Sequence, residues 1–517
     1  MHAHRTTAPT TEQSTAAEAF RSGSHLVIQA GAGTGKTTTL AMLAHEAQAQ
    51  GRRGRYLAFN RSIARDAAHT FPGETACTTA HALAYAEVGR NFRARMDAPR
   101  RSGWRTGAAL GIDTGMSLRL GPRTITHRGL SCTALRTVNR FCQSADRHLT
   151  HHHVPPLRGA EAEPLHSRLA DAVLPYARKA WADLQNPDRG TVRFLHDHYL
   201  KMWALQDPII AADYLLLDEA QDTNPVVEHL LDAQRNHAQV VLVGDSAQAV
   251  YGWRGARDIM TGSPGRHLRL SHSFRFGPAL AHEANRWLTL ANAPLRLTGA
   301  PWRTTELTVV RAPRAILCRS NAGAMREVIR QLATGRRVAL AGGSGALNAL
   351  AQAAHELESG RSTGHPELML FASWGELREY AEYDPAGRDL LPLVELVDTH
   401  GSEAVLATLD QLSPEEHAEV IVSTAHRAKG REWDSVRIGD DFTEPDDLDE
   451  HDDRGIPLPG PVDPDEARLA YVAVTRARSR LDIGGLAWIN RHPAGDPRTY
   501  ATPAPREGTE PGSENTV

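Results

Sequence analysis

The chain has 517 residues, 41% of them hydrophobic and 23% charged, with a formal net charge of −3. That length exceeds one ordinary core and predicts three or four domains with the composition of a soluble globular protein. No apolar run approaches the ~20 residues that span a bilayer, the opening MHAHRTTAPTTEQ lacks the apolar core of a signal peptide, and the four scattered cysteines form no C-x-x-C. A reducing, cytoplasmic setting with no disulfide framework and no zinc site is therefore expected.

In chain order, residues 25–29 (HLVIQ) read as a short buried strand and residues 37–43 as the opening of a helix, with AGAGTGKTT (30–38) between them. Strand, glycine-rich turn and helix is the context of a phosphate loop, although the strict pattern G-x-x-x-x-G-K-[ST] begins with glycine and this chain has Ala30. Alanine costs little there if position 30 keeps strand dihedrals, since glycine is required only where φ is positive or the backbone is crowded. Gly31, Gly33 and Gly35 let the backbone approach an anion, and the helix N-terminus adds a favourable partial charge. Lys36 is placed for the β- and γ-phosphates and Thr37 for Mg²⁺. Of 58 lysines and arginines only Lys36, Lys179, Lys201 and Lys429 are lysine. A compact ammonium fits between phosphates where a guanidinium does not.

From Arg90 to Arg147 twelve arginines stand against Asp97, Asp113 and Asp146, a stretch suited equally to a phosphate backbone or to a solvated face. His151-His152-His153 reads as a solvated loop, because no acid or cysteine sits at ligand spacing. DYLLLDEAQD (213–222) is an apolar strand ending in adjacent acids. Asp218 is placed to hold the hydration shell of Mg²⁺, and Glu219 to orient or deprotonate an attacking water. ALNALAQAAHEL and DLLPLVELVDTHGSEAVLATLDQL, within 336–414, carry apolar residues at helical spacing. Residues 440–466, with nine acids from Asp440 to Asp453 and then prolines, predict an exposed loop, ARLAYVAVTRARSRLDIGGL (467–486) a helix and then a strand, and 493–517 a disordered tail.

Six stretches in order, AGAGTGKTT, LLLDEAQDTNP (215–225), VVLVGDSAQAVYGWRGA (240–256), LSHSFRFG (270–277), VIVSTAHRAKGREWDSV (420–436) and LAYVAVTRARSRL (469–481), resemble the motifs of superfamily 1 UvrD/Rep-type DNA helicases. That family commonly begins its phosphate loop with alanine. HDHYLKMWALQ (196–206), SFRFG and GDDF (439–442) are most similar to the F-box DNA helicase branch. Only twelve residues precede Gln13, and no F-box is expected before it.

The resemblance implies an α/β fold of two RecA-like P-loop domains in tandem, each with an inserted subdomain, and ATP with Mg²⁺ between them. It implies that Ala30, Gly31, Ala32, Gly33, Thr34, Gly35, Lys36, Thr37 and Thr38 cradle the phosphates, with Thr37 and Asp218 at the metal. Gln13 recognises adenine, Phe274 stacks on the base, and Glu432 approaches the ribose, although Arg431-Glu432-Trp433 stands where the family has Leu-Glu-Phe. Gln248 senses the γ-phosphate, and Arg275 and Arg476 reach it from the far side of the cleft. For DNA, Phe59, Tyr251 and Trp253 are the stacking rings, and Asn60, His81, Arg254 and His426 line the strand path; core packing is the alternative for Phe59 and Trp253. Lys429 faces either a phosphate or Glu432.

The expected domains are 1A (1–90 and 195–275), 1B (91–194), 2A (276–335 and 415–492) and a reduced 2B (336–414). The expected function is an ATP-dependent single-stranded DNA translocase and 3′–5′ helicase in repair or recombination, acting on single strands and single/double-strand junctions, with no membrane. Alternatives are a translocase that strips proteins, such as recombinase filaments, from single strands, and a nucleotide-switched DNA-binding protein that does not turn over.

Overall fold

The computed structural model describes residues 8–98, 103–121, 123–157, 163–250, 258–365, 367–368, 371–383, 390–451, 454–455 and 457–495. Its first sheet is built from β1 (Leu26–Ala30), β2 (Gly54–Leu57), β3 (Thr75–Thr78), β4 (Tyr214–Leu217), β5 (Gln239–Gly244) and β6 (Arg266–Leu270), in the order β3-β2-β4-β5-β1-β6. All pairings are parallel, with Leu26 opposite Val241 and Leu215 opposite Val240. YLLL of β4 and QVVLVG of β5 are buried at every position, as continuous apolar runs are when both faces of a parallel sheet are covered. Helices α1 (Thr11–Arg21) and α2 (Lys36–Ala49) pack against each other on this half. In this strand order β5 separates β4 from β1, so the loops after β4, β5 and β1 emerge side by side at the carboxyl edge, where open α/β sheets bind ligands.

The second sheet is also parallel: β7 (Glu306–Leu307), β8 (Ala315–Cys318), β9 (Val338–Leu340), β10 (Val420–Thr424), β11 (Trp433–Ile438) and β12 (Ala477–Asp482), ordered β7-β12-β11-β8-β10-β9. The fold is thus α/β with two RecA-like halves in tandem. The halves share a core: Ala32 and Ala247 of the first pack in one apolar cluster with Tyr471, Ala473 and Val436 of the second.

The arginine-rich segment, whose fold the sequence left open, is helical. Helix α3 (His127–Gln143) packs against α4 (Leu165–Leu184), with an antiparallel ribbon of Ser117–Leu120 and Arg123–Thr126 beside them. Ile112, Leu120, Leu130, Val154 and Leu169 form a core of their own. One arginine of this basic stretch is neither a solvated face nor a phosphate contact. Arg95 is buried, and its guanidinium donates to the carbonyls of Asp183 and Asn186 at 2.6 Å and to the Asp183 carboxylate at 2.9 Å.

Within 336–414, β9 belongs to the second sheet, and the inserted helices run from Gly345 to Leu409 as α5 (Gly345–Glu358), α6 (Trp374–Tyr383), α7 (Leu391–His400) and α8 (Ser402–Leu409). The expectation that 440–453 is only an exposed loop fails at its start. Asp441 accepts from the backbone N–H groups of Arg319 and Ser320 at 2.9 and 2.8 Å, and Asp440 pairs with Arg330 at 2.9 Å. The helix Asn321–Ala333 is capped by Ser320, whose hydroxyl accepts from the Gly323 N–H and donates to Asp441, so this carboxylate sits at the positive end of the helix dipole. Of the expected tail, 493–495 form a 3₁₀ turn and 496–517 lie outside the described residues. Among the described residues no helix is long and apolar enough to cross a membrane.

Candidate nucleotide site between the two sheets

Strand β1 ends at Ala30, which is fully buried as an ordinary strand residue, so alanine fits there. The chain then turns through Gly31–Gly35 and enters α2 at Lys36. Gly33 and Gly35 have φ of +75° and +80°, a region that disfavours side chains. Crowding adds to this: a Cβ on Gly33 would lie 2.6 Å from Ser273 Oγ, and one on Gly31 would lie 2.3 Å from Leu297 Cδ2. Gly35 caps α2 without a side-chain oxygen, which leaves the first-turn amides aimed outward with the dipole behind them.

These amides, Lys36, Thr37, Thr38, Asp218 and Glu219 open onto a cleft of about 930 Å³ that is also lined by Arg275, Arg303, Glu432 and Arg478. Gln13 and Phe274 meet at the loop. Gln13 Nε2 donates to Thr39 Oγ1 at 3.0 Å and lies 3.5 Å from the point where a Gly35 Cβ would stand; the Phe274 ring edge is 3.8 Å from that point. Phe274 N–H donates to the Gly33 carbonyl at 2.8 Å, which fixes the ring against the loop.

Beyond β4, Asp218 Oδ2 accepts from Thr37 Oγ1 at 2.9 Å and from the Tyr56 hydroxyl at 2.8 Å. The Thr37 and Asp218 oxygens stand at 2.9 Å, the spacing of adjacent ligands on an octahedron with bonds of about 2.05 Å, so this pair suits Mg²⁺. Glu219 has a left-handed backbone with φ 53°, a conformation that costs a non-glycine residue free energy and aims its carboxylate at the cleft. Lys36 Nζ lies 3.7 Å from it, and Gln221 Nε2 donates to it at 2.5 Å. Burial pushes the Asp218 carboxyl up, and the neighbouring Glu219 charge adds to the rise. Burial also opposes ionisation of Glu219, but Lys36 and Lys429 hold it down to about 2. The pair thus divides: Glu219 is a carboxylate at neutral pH, the form a base or water-orienting group needs.

Two arginines meet at the junction of the halves, Arg476 from the second and Arg275 from the end of the first. Arg476 is buried; its Nη2 donates to Gln248 Oε1 at 3.2 Å and its Nε to the Val472 carbonyl at 2.8 Å. Burial lowers its pKa to about 9, with the nearby Arg275 charge acting in the same direction, and it stays protonated at neutral pH. Arg275 donates from Nη1 to the Thr475 carbonyl at 3.0 Å and pairs through Nε with Glu432, which also pairs with Arg478. Glu432 therefore stands on the cleft wall clamped between two guanidiniums. The Lys429 ammonium sits 2.5 Å from the Asp222 carboxylate and 2.5 Å from the Gln248 carbonyl.

The DNA candidates are scattered. Phe59 is 54% exposed, which removes the core reading, and it lines the same cleft as Lys36. Asn60 caps the helix Arg61–Ala67, accepting from Ile63 N–H at 3.0 Å. His81 Nε2 lies 2.8 Å from Asp197 Oδ1, on the helix formed by HDHYLKMWA. His426 is half-buried on the short helix Ala425–Ala428. Tyr251, Trp253 and Arg254 lie outside the described residues.

Sequence reasoning missed Tyr471. From the helix Pro464–Val474 its hydroxyl accepts from the Ala32 N–H of the phosphate loop at 3.0 Å and donates to Asp245 Oδ2 at 2.9 Å. One atom ties the loop after β1, the loop after β5 and the second half together. The available signal was a single hydroxyl in the apolar run LAYVAV, since a buried tyrosine needs a polar partner. Tyr471→Phe leaves both buried groups short of a partner and is expected to lower stability by about 1–3 kcal/mol in denaturant unfolding. An unchanged midpoint would show that the hydroxyl does not couple the two halves.

A phosphate loop on one parallel sheet, with an arginine reaching it from a second, defines a two-domain P-loop nucleoside triphosphatase. A family model of the AAA domain matches residues 13–254, and one of the UvrD-like helicase C-terminal domain matches residues 366–485. F-box DNA helicase protein 1 of Schizosaccharomyces pombe is 30% identical over 500 residues, covering 89% of this chain and 55% of that protein. F-box DNA helicase 1 of Gallus gallus is 26% identical over 494 residues, covering 89% and 47%. The chain belongs to the UvrD-like superfamily 1 helicases and is related to the F-box helicase branch. It spans about half the length of the curated relatives it matches.

Proposed function

We propose that this chain is an ATP-driven motor on single-stranded DNA that unwinds duplex 3′ to 5′ in DNA repair or recombination. The observation that carries it is the convergence of Lys36, Thr37, Asp218, Glu219 and Arg275 on a single cleft, with Arg476 of the second half bonded to Gln248 of the first. In this reading Lys36 and the loop amides bind the β- and γ-phosphates, and Thr37 and Asp218 hold Mg²⁺, which supplies charge neutralisation. Glu219 orients or deprotonates the attacking water. The arginines stabilise charge developing on the transferred phosphoryl group. Because Arg476 comes from the second half and bonds Gln248 of the first, the reacting geometry exists only with the halves together, so turnover and relative motion are linked. Separating DNA costs about 1.4 kcal/mol per base-pair step, within reach of one ATP per base.

The first sheet is assigned to 1A, the arginine-rich helices to 1B, the second sheet to 2A, and 336–414, with helices α5 to α8, to a reduced 2B. The small size of that last insertion favours a second reading, a translocase that clears proteins such as recombinase filaments from single strands without processive unwinding. Steady-state ATP hydrolysis with and without single-stranded DNA, beside a forked-duplex assay, tests both. Hydrolysis stimulated by the strand together with opening of the fork supports the motor. Stimulation without opening supports the second reading, and hydrolysis indifferent to DNA sinks both.

A further inference from the structure

The histidine triplet is not the solvated loop that its sequence neighbourhood suggested. His151–His153 form a 3₁₀ turn, and the missing acid is supplied from upstream by Asp146, brought back against them by the turn that follows α3. His152 Nε2 lies 2.7 Å and His153 Nε2 3.0 Å from the same oxygen, Asp146 Oδ2. The opposite nitrogens are both held by Thr150. His152 Nδ1 lies 2.8 Å from the Thr150 hydroxyl, and His153 Nδ1 lies 3.2 Å from the Thr150 carbonyl. The Thr150 N–H also donates to His153 Nδ1 at 3.1 Å, so the metal-free ring carries its proton on Nε2 toward Asp146; an ion that takes Nε2 moves that proton to Nδ1, which then faces the Thr150 carbonyl. Outer partners fix ring orientation in the same way around metal-bound histidines.

The site is accessible. His153 is 2% exposed, packed edge-on against Phe141 at 5.3 Å, whereas the side chain of His152 is 65% exposed. Beside His152 opens a cavity of about 410 Å³ lined by Arg140, His151, Glu163 and His166. This leaves room for water as a fourth ligand. The nearest buried cation, Lys201, is directed elsewhere: its ammonium rests on the carbonyl oxygens of Ser144 and Asp146 at 2.7 and 2.5 Å. Two imidazoles and one carboxylate with an open position are the donor set of a tetrahedral Zn²⁺ site.

We infer that Asp146, His152 and His153 bind a divalent transition-metal ion, Zn²⁺ by preference, clamping the loop that joins α3 to α4 within the arginine-rich insertion. Lys201 stands on the helix His196–Ala204, which packs against α3, so an ion at Asp146 would stiffen the junction between insertion and motor.

The test is Co²⁺ titration of the full chain, nucleotide-free and stripped of metal, followed by its ligand-field absorption and then by displacement with Zn²⁺. One tetrahedral Co²⁺ per chain is expected, displaced by one Zn²⁺. His152→Gln, at an exposed side chain, is expected to abolish the band, to weaken Zn²⁺ binding more than about tenfold, and to remove the Zn²⁺-dependent rise in Tm seen with the unaltered chain. Thr150→Val is expected to weaken binding by a smaller factor, and His151→Gln, whose ring faces Asp171 at 3.3 Å, to keep the band. No tetrahedral band in the unaltered chain overturns the inference. So does a band that persists in His152→Gln, which would assign the ion to other histidines such as His2 and His4, and so does an equal loss in His151→Gln.

Discussion

Glu219→Gln is expected to leave nucleotide binding intact and to slow ATP turnover about 10²–10⁴-fold, the range for a lost general base. The substitution keeps size and an acceptor for Gln221, whose amide donates to the carboxylate at 2.5 Å. It removes the charge that Lys36 and Lys429 stabilise, and with it any capacity to take a proton from water. Asp218 cannot substitute, because its Oδ2 is already engaged by Thr37 and Tyr56 and burial favours its neutral form. Single-turnover hydrolysis beside equilibrium binding of a fluorescent nucleotide separates the two effects. Near-normal turnover would remove Glu219 from the chemistry.

Arg476→Lys is expected to cost about 10³–10⁵ in turnover, the usual value of an arginine finger, while binding in the ground state changes little. Lysine keeps the charge but not the fork. Arg476 uses Nε on the Val472 carbonyl and Nη2 on Gln248 and on Thr475 Oγ1, the last at 2.9 Å. A single ammonium cannot hold these partners and also face a phosphoryl oxygen. Because the residue is buried, unfolding must be measured in parallel. A fold-change in kcat with an unaltered unfolding midpoint identifies a role in the reaction. Equal losses in stability and turnover would make Arg476 a packing residue, and the proposed coupling between domain contact and hydrolysis would fall with it.

What was legible in the chain is what a few consecutive residues dictate. The phosphate loop follows from glycines at positive φ between an apolar strand and a helix, and the paired acids follow from a buried strand that ends abruptly. The order of the motifs then implied two RecA-like halves. These features depend on backbone sterics and apolar runs, which act over a few residues and need no knowledge of distant neighbours.

What only the tertiary structure decided is which charge meets which. Ala32 and Tyr471 are separated by 439 positions and Gln248 and Arg476 by 228, yet each pair is hydrogen-bonded. Lys429 paired with Asp222 rather than with Glu432, and Arg95 left the basic surface for a buried set of carbonyls. Asp146 supplied the carboxylate that the histidine triplet lacked in sequence. Polar partners are chosen by burial, since a desolvated charge must be paired where it ends up. Where it ends up is set by strand order and helix packing, which no local pattern contains.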